Sequence, residues 1–205
     1  MIERAPRRFA DAARTLLRET VLGATHELLA EHDWSAVTMA QVATAAGVSR
    51  QTLYNEFGNR SELALAYASW AGDQLLDEVE RCVAEHADDL LDALVAAFTV
   101  FLDIGKGHPL IRSLGDRAGA DDLVAVLATP RHSPIVAGAS VRLATIIDTT
   151  WPDLPADAVE AASELLVRLA VSHLLLPTGT PESAAEQVAV VLAPFLARIQ
   201  APEPA

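Results

Sequence analysis

The sequence predicts an all-α protein in which a small helical head precedes a larger helical body. Apolar residues recur at three- and four-residue steps over most of the 205 residues, and no run shows the two-residue alternation of a half-buried strand. Prolines and glycines fall between these periodic segments, where they separate one helix from the next. Hydrophobic residues make up 51% of the chain and charged residues 21%, which excludes a disordered chain.

Ten periodic segments predict about nine or ten helices, with short helices first and long apolar ones after them. The first carries an apolar stripe at helical spacing, and the fourth begins at Asn59 or Ser61. We expect the head to comprise residues 1–60, the body 61–200 and a short tail 201–205. The expected helices cover residues 9–32, 38–45, 49–57, 59–85, 88–105, 109–116, 120–128, 133–150, 157–176 and 183–199.

The charge of the chain is unevenly distributed. Its net value is −13, yet residues 1–60 hold seven arginines and seven acidic residues, so that the head is neutral and the body carries the whole excess. A head with no net charge that carries arginines can approach a phosphate backbone, even though an acidic body cannot. The composition therefore allows DNA binding through one end of the molecule.

Nothing in the sequence predicts membrane insertion or export. No stretch approaches the roughly 18 uncharged apolar residues of a membrane span. The N-terminus mixes Arg4, Arg7 and Arg8 with acidic residues and has no apolar segment of the kind that a signal peptide needs. The single cysteine, Cys82, cannot form an internal disulfide and fits a reducing compartment. We expect a cytoplasmic protein with no membrane partner.

Residues 38–63 predict two short helices joined by a tight turn. Thr38 and Gln41 have the spacing of a capping box, which begins the second helix. Gly47 supplies the left-handed residue of the turn, and Ser49 can cap the third helix. The third helix is too short and too polar to be a core element, so this segment is a candidate helix-turn-helix.

The outward positions of the third helix carry Arg50, Gln51, Thr52, Tyr54 and Asn55. In the major groove of DNA, arginine pairs with guanine, whereas asparagine and glutamine pair with adenine. The alternative is a helical corner with a solvated polar face. The coincidence of capping box, turn glycine, serine cap and polar short helix favours DNA binding over that alternative.

The motif in this segment resembles the DNA-binding domain of the TetR family of bacterial transcriptional regulators. The resemblance covers about residues 10–65 and implies a three-helix DNA-binding head on an all-α body that binds an effector and dimerises. It is carried by Val42-Ala43-x-x-Ala46-Gly47-Val48-Ser49-x-x-Thr52-Leu53-Tyr54-x-x-Phe57-x-x-Arg60-x-x-Leu63.

The resemblance assigns roles to individual residues of the head. Thr38, Thr52 and Tyr54 match phosphate-contacting positions, and Arg60 matches the basic residue that opens the fourth helix at the DNA backbone. Three residues of the third helix lie where base or groove contacts are made: Arg50, Gln51 and Asn55. The candidate DNA-binding set is therefore Thr38, Ser49, Arg50, Gln51, Thr52, Tyr54, Asn55 and Arg60.

Two residues of the third helix depart from the family pattern. Gln51 stands where a small glycine is common and can add a base contact. Glu56 stands where an aromatic residue or histidine is common. Because a carboxylate near phosphate is repulsive, we expect Glu56 to turn toward Arg60 or Arg50. The three arginines before the first helix are open to two interpretations, a disordered basic tail or an arm that reaches the phosphates or the minor groove.

The body has candidate residues for an effector cavity and for a dimer interface. The family resemblance implies a cavity at the fourth and fifth helices and a two-fold four-helix interface, and the terminal helices are more apolar than one buried face requires. Plain core packing is the alternative for each cavity residue, and His173 is the candidate polar contact for a ligand. The effector candidates are Trp70, Phe98, Phe101, Leu102, Leu143, Ile147 and His173, and the interface candidates are Leu165, Leu169, Val188, Leu192 and Phe195.

No catalytic motif, cofactor motif or complete metal site appears in the sequence. Cys82 and His86 stand four residues apart, but no second pair completes a metal site. We therefore expect no cofactor and no enzymatic activity. The favoured hypothesis is a homodimeric repressor, released from a pseudo-palindromic double-stranded DNA operator by a small, largely apolar effector. A helical enzyme or small-molecule carrier is the alternative, and an architectural DNA-binding protein is disfavoured because an acidic body repels DNA.

Overall fold

The computed structural model describes residues 5–115 and 134–200. These residues form nine α-helices, a single 3-10 turn at Trp34–Ala36 and no strand, which confirms the all-α prediction. The helices are α1 (Ala5–Glu31), α2 (Met39–Ala45), α3 (Arg50–Phe57), α4 (Arg60–Glu85), α5 (Leu90–Gly107), α6 (Pro109–Gly115), α7 (Pro134–Thr150), α8 (Ala156–Leu175) and α9 (Pro181–Gln200).

The helix boundaries follow the local signals in the sequence closely. The Thr38 side chain accepts a hydrogen bond from the backbone N–H of Gln41, and both halves of the predicted capping box are formed. Gly47 has a φ of 68°, the left-handed conformation that the turn requires. The first helix begins four residues before the expected start at residue 9. The helix expected at 120–128 lies outside the described residues.

The head has its own hydrophobic core, formed by α1, α2, α3, the first half of α4 and the 3-10 turn. Trp34 and Tyr67 are its largest fully buried side chains. Leu53 and Phe57 anchor α3 in the same cluster, and Leu110 of α6 joins it from the body. The orientation of α3 is therefore set by packing against three neighbouring helices.

The body consists of α5–α9 and the second half of α4. In it, α5 packs against α4 and α9, and α7 packs against α8 and α4. Arg142 of α7 clamps this arrangement, since its guanidinium donates to the Asp73 carbonyl at 2.8 Å and forms ion pairs with Asp77 and Glu80 of α4. No helix within the described ranges is both long enough and apolar enough to span a membrane.

Candidate nucleic-acid interface and effector cavity

The third helix presents its polar face to solvent. Leu53 and Phe57 are buried on its inner side, so that Arg50 and Asn55 are exposed on the opposite side and Tyr54 is 50% exposed. A short helix that is held by two apolar anchors and has exposed polar side chains on its outer face can enter the major groove of DNA. Gln51 is also exposed on this helix.

Two hydroxyl residues of the DNA-binding set, Thr38 and Ser49, are helix caps, and the hydroxyl of a third, Thr52, contacts the Ser49 cap. The Thr38 hydroxyl donates to Gln41 Oε1 at 2.7 Å, and Ser49 Oγ accepts from the backbone N–H of Thr52 at 3.0 Å. The hydroxyls of Ser49 and Thr52 lie 2.8 Å apart. These contacts fix the first turns of α2 and α3 and keep both hydroxyl-bearing ends at the surface of the head.

Arg60 ties the beginning of α4 to the 3-10 turn. Its Nη2 atom donates to the Trp34 carbonyl at 2.5 Å, and its guanidinium lies 4.7 Å from the centroid of the Trp34 ring. An arginine that stacks on an indole and binds a carbonyl holds two elements together. Replacement of Arg60 would therefore disturb the head itself, and Arg60 is a poor probe of phosphate contact.

Glu56 pairs with α1, and the expected contact with Arg60 or Arg50 is wrong. The Glu56 carboxylate accepts from Arg18 Nη1 at 2.7 Å and from Arg14 Nε at 2.9 Å, and the Arg18 guanidinium also lies 4.8 Å from the centroid of Phe57. Burial acts to raise the pKa of Glu56, but the hydrogen bonds and charges of Arg18 and Arg14 outweigh it and lower the pKa below its usual range. The carboxylate therefore locks α3 to α1.

We expect Glu56→Gln to destabilise the head by about 1–2 kcal/mol, because a partly buried charge-assisted contact is lost while Arg18 stays in place. Thermal unfolding at pH 7 measures the loss. Since the folded-state pKa is lowered, the stabilisation of the wild type should persist as pH falls and disappear only as the native carboxyl takes up its proton in acid. Glu27→Gln, an exposed change on α1, is the matched control. Equal midpoints for the two variants would contradict the prediction.

The arginines near the N-terminus fall partly within α1. The helix begins at Ala5, so Arg7 and Arg8 belong to its first turns, and Arg4 lies outside the described residues. The described part of this segment is therefore helical and not a disordered tail, while a contact of its arginines with phosphates or the minor groove stays a prediction.

An aromatic cluster joins the head to the body. His26 of α1 forms a hydrogen bond of 3.1 Å with the Tyr67 hydroxyl and lies 5.1 Å, ring to ring, from His108 between α5 and α6. Trp70 of α4 stacks on Tyr67 with ring centroids 6.1 Å apart. Trp70, which we expected to line the effector cavity, is thus a residue of the head–body junction.

The junction contains a histidine, His108, whose pKa is lowered by burial. Burial, with a smaller contribution from the charge of His26, lowers the pKa of His108 to about 4, and its Nδ1 accepts from the backbone N–H of Leu110 at 3.2 Å. In the unfolded chain the His108 side chain takes up a proton near pH 6.5, whereas in the folded chain it does not. We expect the free energy of unfolding to fall by about 1–2 kcal/mol between pH 7 and pH 5 through this group, after allowance for its partial exposure.

The variant His108→Asn tests this assignment, because its amide oxygen can still accept from the Leu110 backbone but does not titrate. The expected result is a smaller loss of stability between pH 7 and pH 5 than in the wild type, measured by urea unfolding. An unchanged pH dependence would show that another group is responsible.

A cavity of about 150 Å³ lies in the body, between α4 and the five helices that follow it. Every described lining residue is apolar, and the one polar side-chain atom among them, Trp151 Nε1, donates to the Ala87 carbonyl at 3.0 Å. Four of the predicted effector residues line it: Phe98, Phe101, Leu143 and Ile147.

The other predicted effector residues lie outside the described lining. Leu102 is buried in the core beside Phe98, and His173 contacts the edge of the Phe98 ring at a centroid distance of 5.9 Å. The structure adds Leu110 and Ile111 of α6 to the lining. Their signal in the sequence is an apolar pair in a short helix after Pro109, which periodicity alone does not assign to a cavity.

The predicted dimer surface divides into two parts. Val188 and Leu192 are buried inside the protomer, each 6% exposed, and therefore belong to its own core. Leu169 and Phe195 are half-buried against the same core, whereas Leu165 is exposed. On the outward face of α9, two further large apolar side chains stand open to solvent, Val190 and Val191.

The Cys82–His86 pair has a structural explanation. His86 Nδ1 lies 2.9 Å from the Cys82 carbonyl oxygen, one helical turn earlier, and Cys82 is buried. Within the described residues, no group of three or more histidine, cysteine or acidic side chains is arranged to hold a metal ion.

Comparison with known proteins gives the family. The family model for the N-terminal domain of bacterial regulatory proteins of the tetR family matches residues 21–67, and the model for a C-terminal domain of the bacterial tetracycline repressor matches residues 89–194. The HTH-type transcriptional regulator AlkX of Mycobacterium tuberculosis is 36% identical over 96% of this chain and 92% of its own length. The chain belongs to the TetR family.

Solved structures of TetR-family proteins share the fold. The crystal structure of the TetR family repressor AlkX from a Dietzia strain, implicated in the biodegradation of n-alkanes, matches with a TM-score of 0.79 and 35% identity over 88% of this chain and 97% of that one. A TetR-family regulator from Pectobacterium atrosepticum, 14% identical over 94% of this chain and 98% of that one, matches with a TM-score of 0.63 and shows the fold alone. The chain is accordingly a DNA-binding transcriptional regulator with a helix-turn-helix head.

Proposed function

We propose that this TetR-family regulator is a repressor that binds a pseudo-palindromic operator as a homodimer and leaves it when a small, apolar ligand fills the body cavity. The observation that carries the proposal is the cavity, whose described lining offers only apolar surface. A dimer with two-fold symmetry presents two recognition helices, so we expect half-sites about 34 Å apart, or a small multiple of that distance.

The lining restricts the chemistry of the ligand. A sugar or nucleotide would lose its hydrogen bonds to water on entering the cavity and find few in return, which costs several kcal/mol. A hydrocarbon chain loses nothing of this kind and gains by the burial of its surface. The Dietzia repressor implicated in n-alkane biodegradation, 35% identical to this chain, supports a ligand with an alkyl chain.

Two helices connect the cavity with the DNA-binding head. The first half of α4 contributes Leu63 and Tyr67 to the head core, and its second half contributes Leu75 and Leu76 to the cavity lining. A ligand that pushes on the second half must therefore tilt a helix whose beginning is packed in the head. Such a tilt changes the distance between the two recognition helices of a dimer.

The short helix α6 is the second connection. Leu110 lines the cavity and also packs in the head core, while Arg112 Nη2 donates to the carbonyls of Leu29 and Ala30, both at 3.0 Å, at the end of α1. A cation at a helix C-terminus is stabilised by the unpaired carbonyls there. Ligand contact with α6 would thus act on α1 directly.

The test combines DNA binding with ligand binding. Duplex DNA from the region upstream of the protein's own gene serves as the operator, and n-octane or 1-octanol serves as the ligand. We expect the ligand to lower operator affinity and, by reciprocity, operator DNA to lower ligand affinity by the same factor. Arg112→Ala should keep the ligand affinity within about twofold and weaken the effect of ligand on DNA binding; Arg81→Ala, an exposed change on α4, is the control.

Two results would contradict the proposal. Failure of the wild type to bind any upstream duplex would reject the operator. A ligand that binds with an affinity unaffected by operator DNA would show that the cavity stores or carries the molecule without controlling DNA binding.

A further inference from the structure

One polar side chain in the body lacks any hydrogen bond. Ser163 of α8 is fully buried, and its hydroxyl has no partner among the residues that the structure describes. It lies on the cavity-facing side of α8, because Val159 and Val167, one helical turn before and after it, both line the cavity, as do Ala162 and Leu166. Ser163 itself is not among the described lining residues but stands between them on the same face of the helix.

The missing hydrogen bond is unusual within this protein. Serine and threonine in a helix commonly donate to the carbonyl four residues earlier. Ser140 does so at 2.8 Å, as do Thr99 at 2.8 Å and Thr145 at 3.0 Å. A buried hydroxyl without a partner destabilises the folded chain, and such groups in native proteins call for a specific explanation.

We propose that the Ser163 hydroxyl is the polar contact for the ligand, and that the ligand is an alkyl chain carrying a single neutral oxygen group, such as a primary alcohol. This inference rests on the proposed function, which supplies the alkyl chain. It replaces His173, whose ring already contacts the edge of the Phe98 ring, whereas the Ser163 hydroxyl has no partner among the described residues.

The neutral oxygen follows from the charges around the cavity. No lysine, arginine or histidine occurs among its described lining residues, so an ionised carboxylate would enter without a counter-charge. Burial of an unpaired charge is far more costly than burial of a hydroxyl that gains a hydrogen bond. A hydroxyl oxygen can accept from Ser163 or donate to it, whereas a bare hydrocarbon leaves Ser163 without a partner.

Three ligands of equal chain length separate these possibilities: n-octane, 1-octanol and octanoate at pH 8. Dissociation constants are measured on the full-length protein from its tryptophan fluorescence, to which Trp151, a residue of the cavity lining, contributes. We expect 1-octanol to bind the wild type most tightly. Ser163→Ala should raise the dissociation constant of 1-octanol by about 5- to 10-fold and change that of n-octane by no more than about twofold. Ser172→Ala, an exposed serine on the same helix, is the matched control and should change neither.

Ser163→Ala should also raise the thermal midpoint of the ligand-free protein, because it removes the unsatisfied hydroxyl. If the substitution weakens the binding of n-octane and of 1-octanol by the same factor, Ser163 has only a packing role. The inference then fails, while the proposed function stands. If the wild type binds octanoate more tightly than 1-octanol, the inference that the polar group of the ligand is neutral is wrong. If no ligand of the series binds, the proposed function fails together with the inference.

Discussion

The double variant Leu165→Asp/Val191→Asp is expected to be monomeric and to bind operator DNA about 100-fold more weakly than the wild type, or worse. Leu165 is 46% exposed and Val191 74% exposed, on the two helices that we assign to the dimer interface. Aspartate on this surface would bury an unpaired charge in the dimer and is therefore strongly unfavourable there. One protomer alone presents a single recognition helix and loses the second half-site.

The choice of residues keeps the protomer intact. Both side chains point to solvent in the single chain, whereas aspartate at the buried Leu192 would unfold the protein and give no information about assembly. Val141→Asp, at a 68% exposed position on α7, is the control and should remain dimeric. Sedimentation velocity and fluorescence anisotropy with labelled operator report the two properties. A double variant that sediments as a dimer would place the interface elsewhere.

Alanine substitutions on the outer face of α3 are expected to change sequence discrimination. Arg50→Ala and Asn55→Ala should each reduce the preference for the operator over a single-base variant by about 1–3 kcal/mol, which is the value of a good bidentate contact to a base. Tyr54→Ala should weaken binding to all sequences alike, since a phosphate contact carries no base preference. All three side chains are exposed, so the fold of the head should not change.

Binding titrations against operators with systematic single-base changes measure this discrimination. Gln74→Ala, an exposed change in the body part of α4, is the control for effects unrelated to DNA contact. If Arg50→Ala and Asn55→Ala retain the full wild-type discrimination, the bases are read by other residues, of which Gln51 on the same face is the next to test.

The sequence by itself determined those features that depend on neighbours along the chain. The capping box at Thr38, the left-handed glycine at Gly47 and the serine cap at Ser49 each involve residues no more than four positions apart. Two apolar anchors at helical spacing, Leu53 and Phe57, then decide which side of α3 faces outward. For this reason the head, with its polar recognition surface, could be predicted without coordinates.

Only the tertiary structure decided which element each buried or paired side chain meets. Glu56 is paired with arginines 38 and 42 residues away, and Trp70 packs in the junction of head and body. Leu192 faces the interior of its own protomer, and Ser163 is buried without a partner. Helical periodicity indicates that a face is buried but not against what, because the partner is set by how the helices cross. The contacts to which we assign ligand choice and coupling to DNA are all of this second kind.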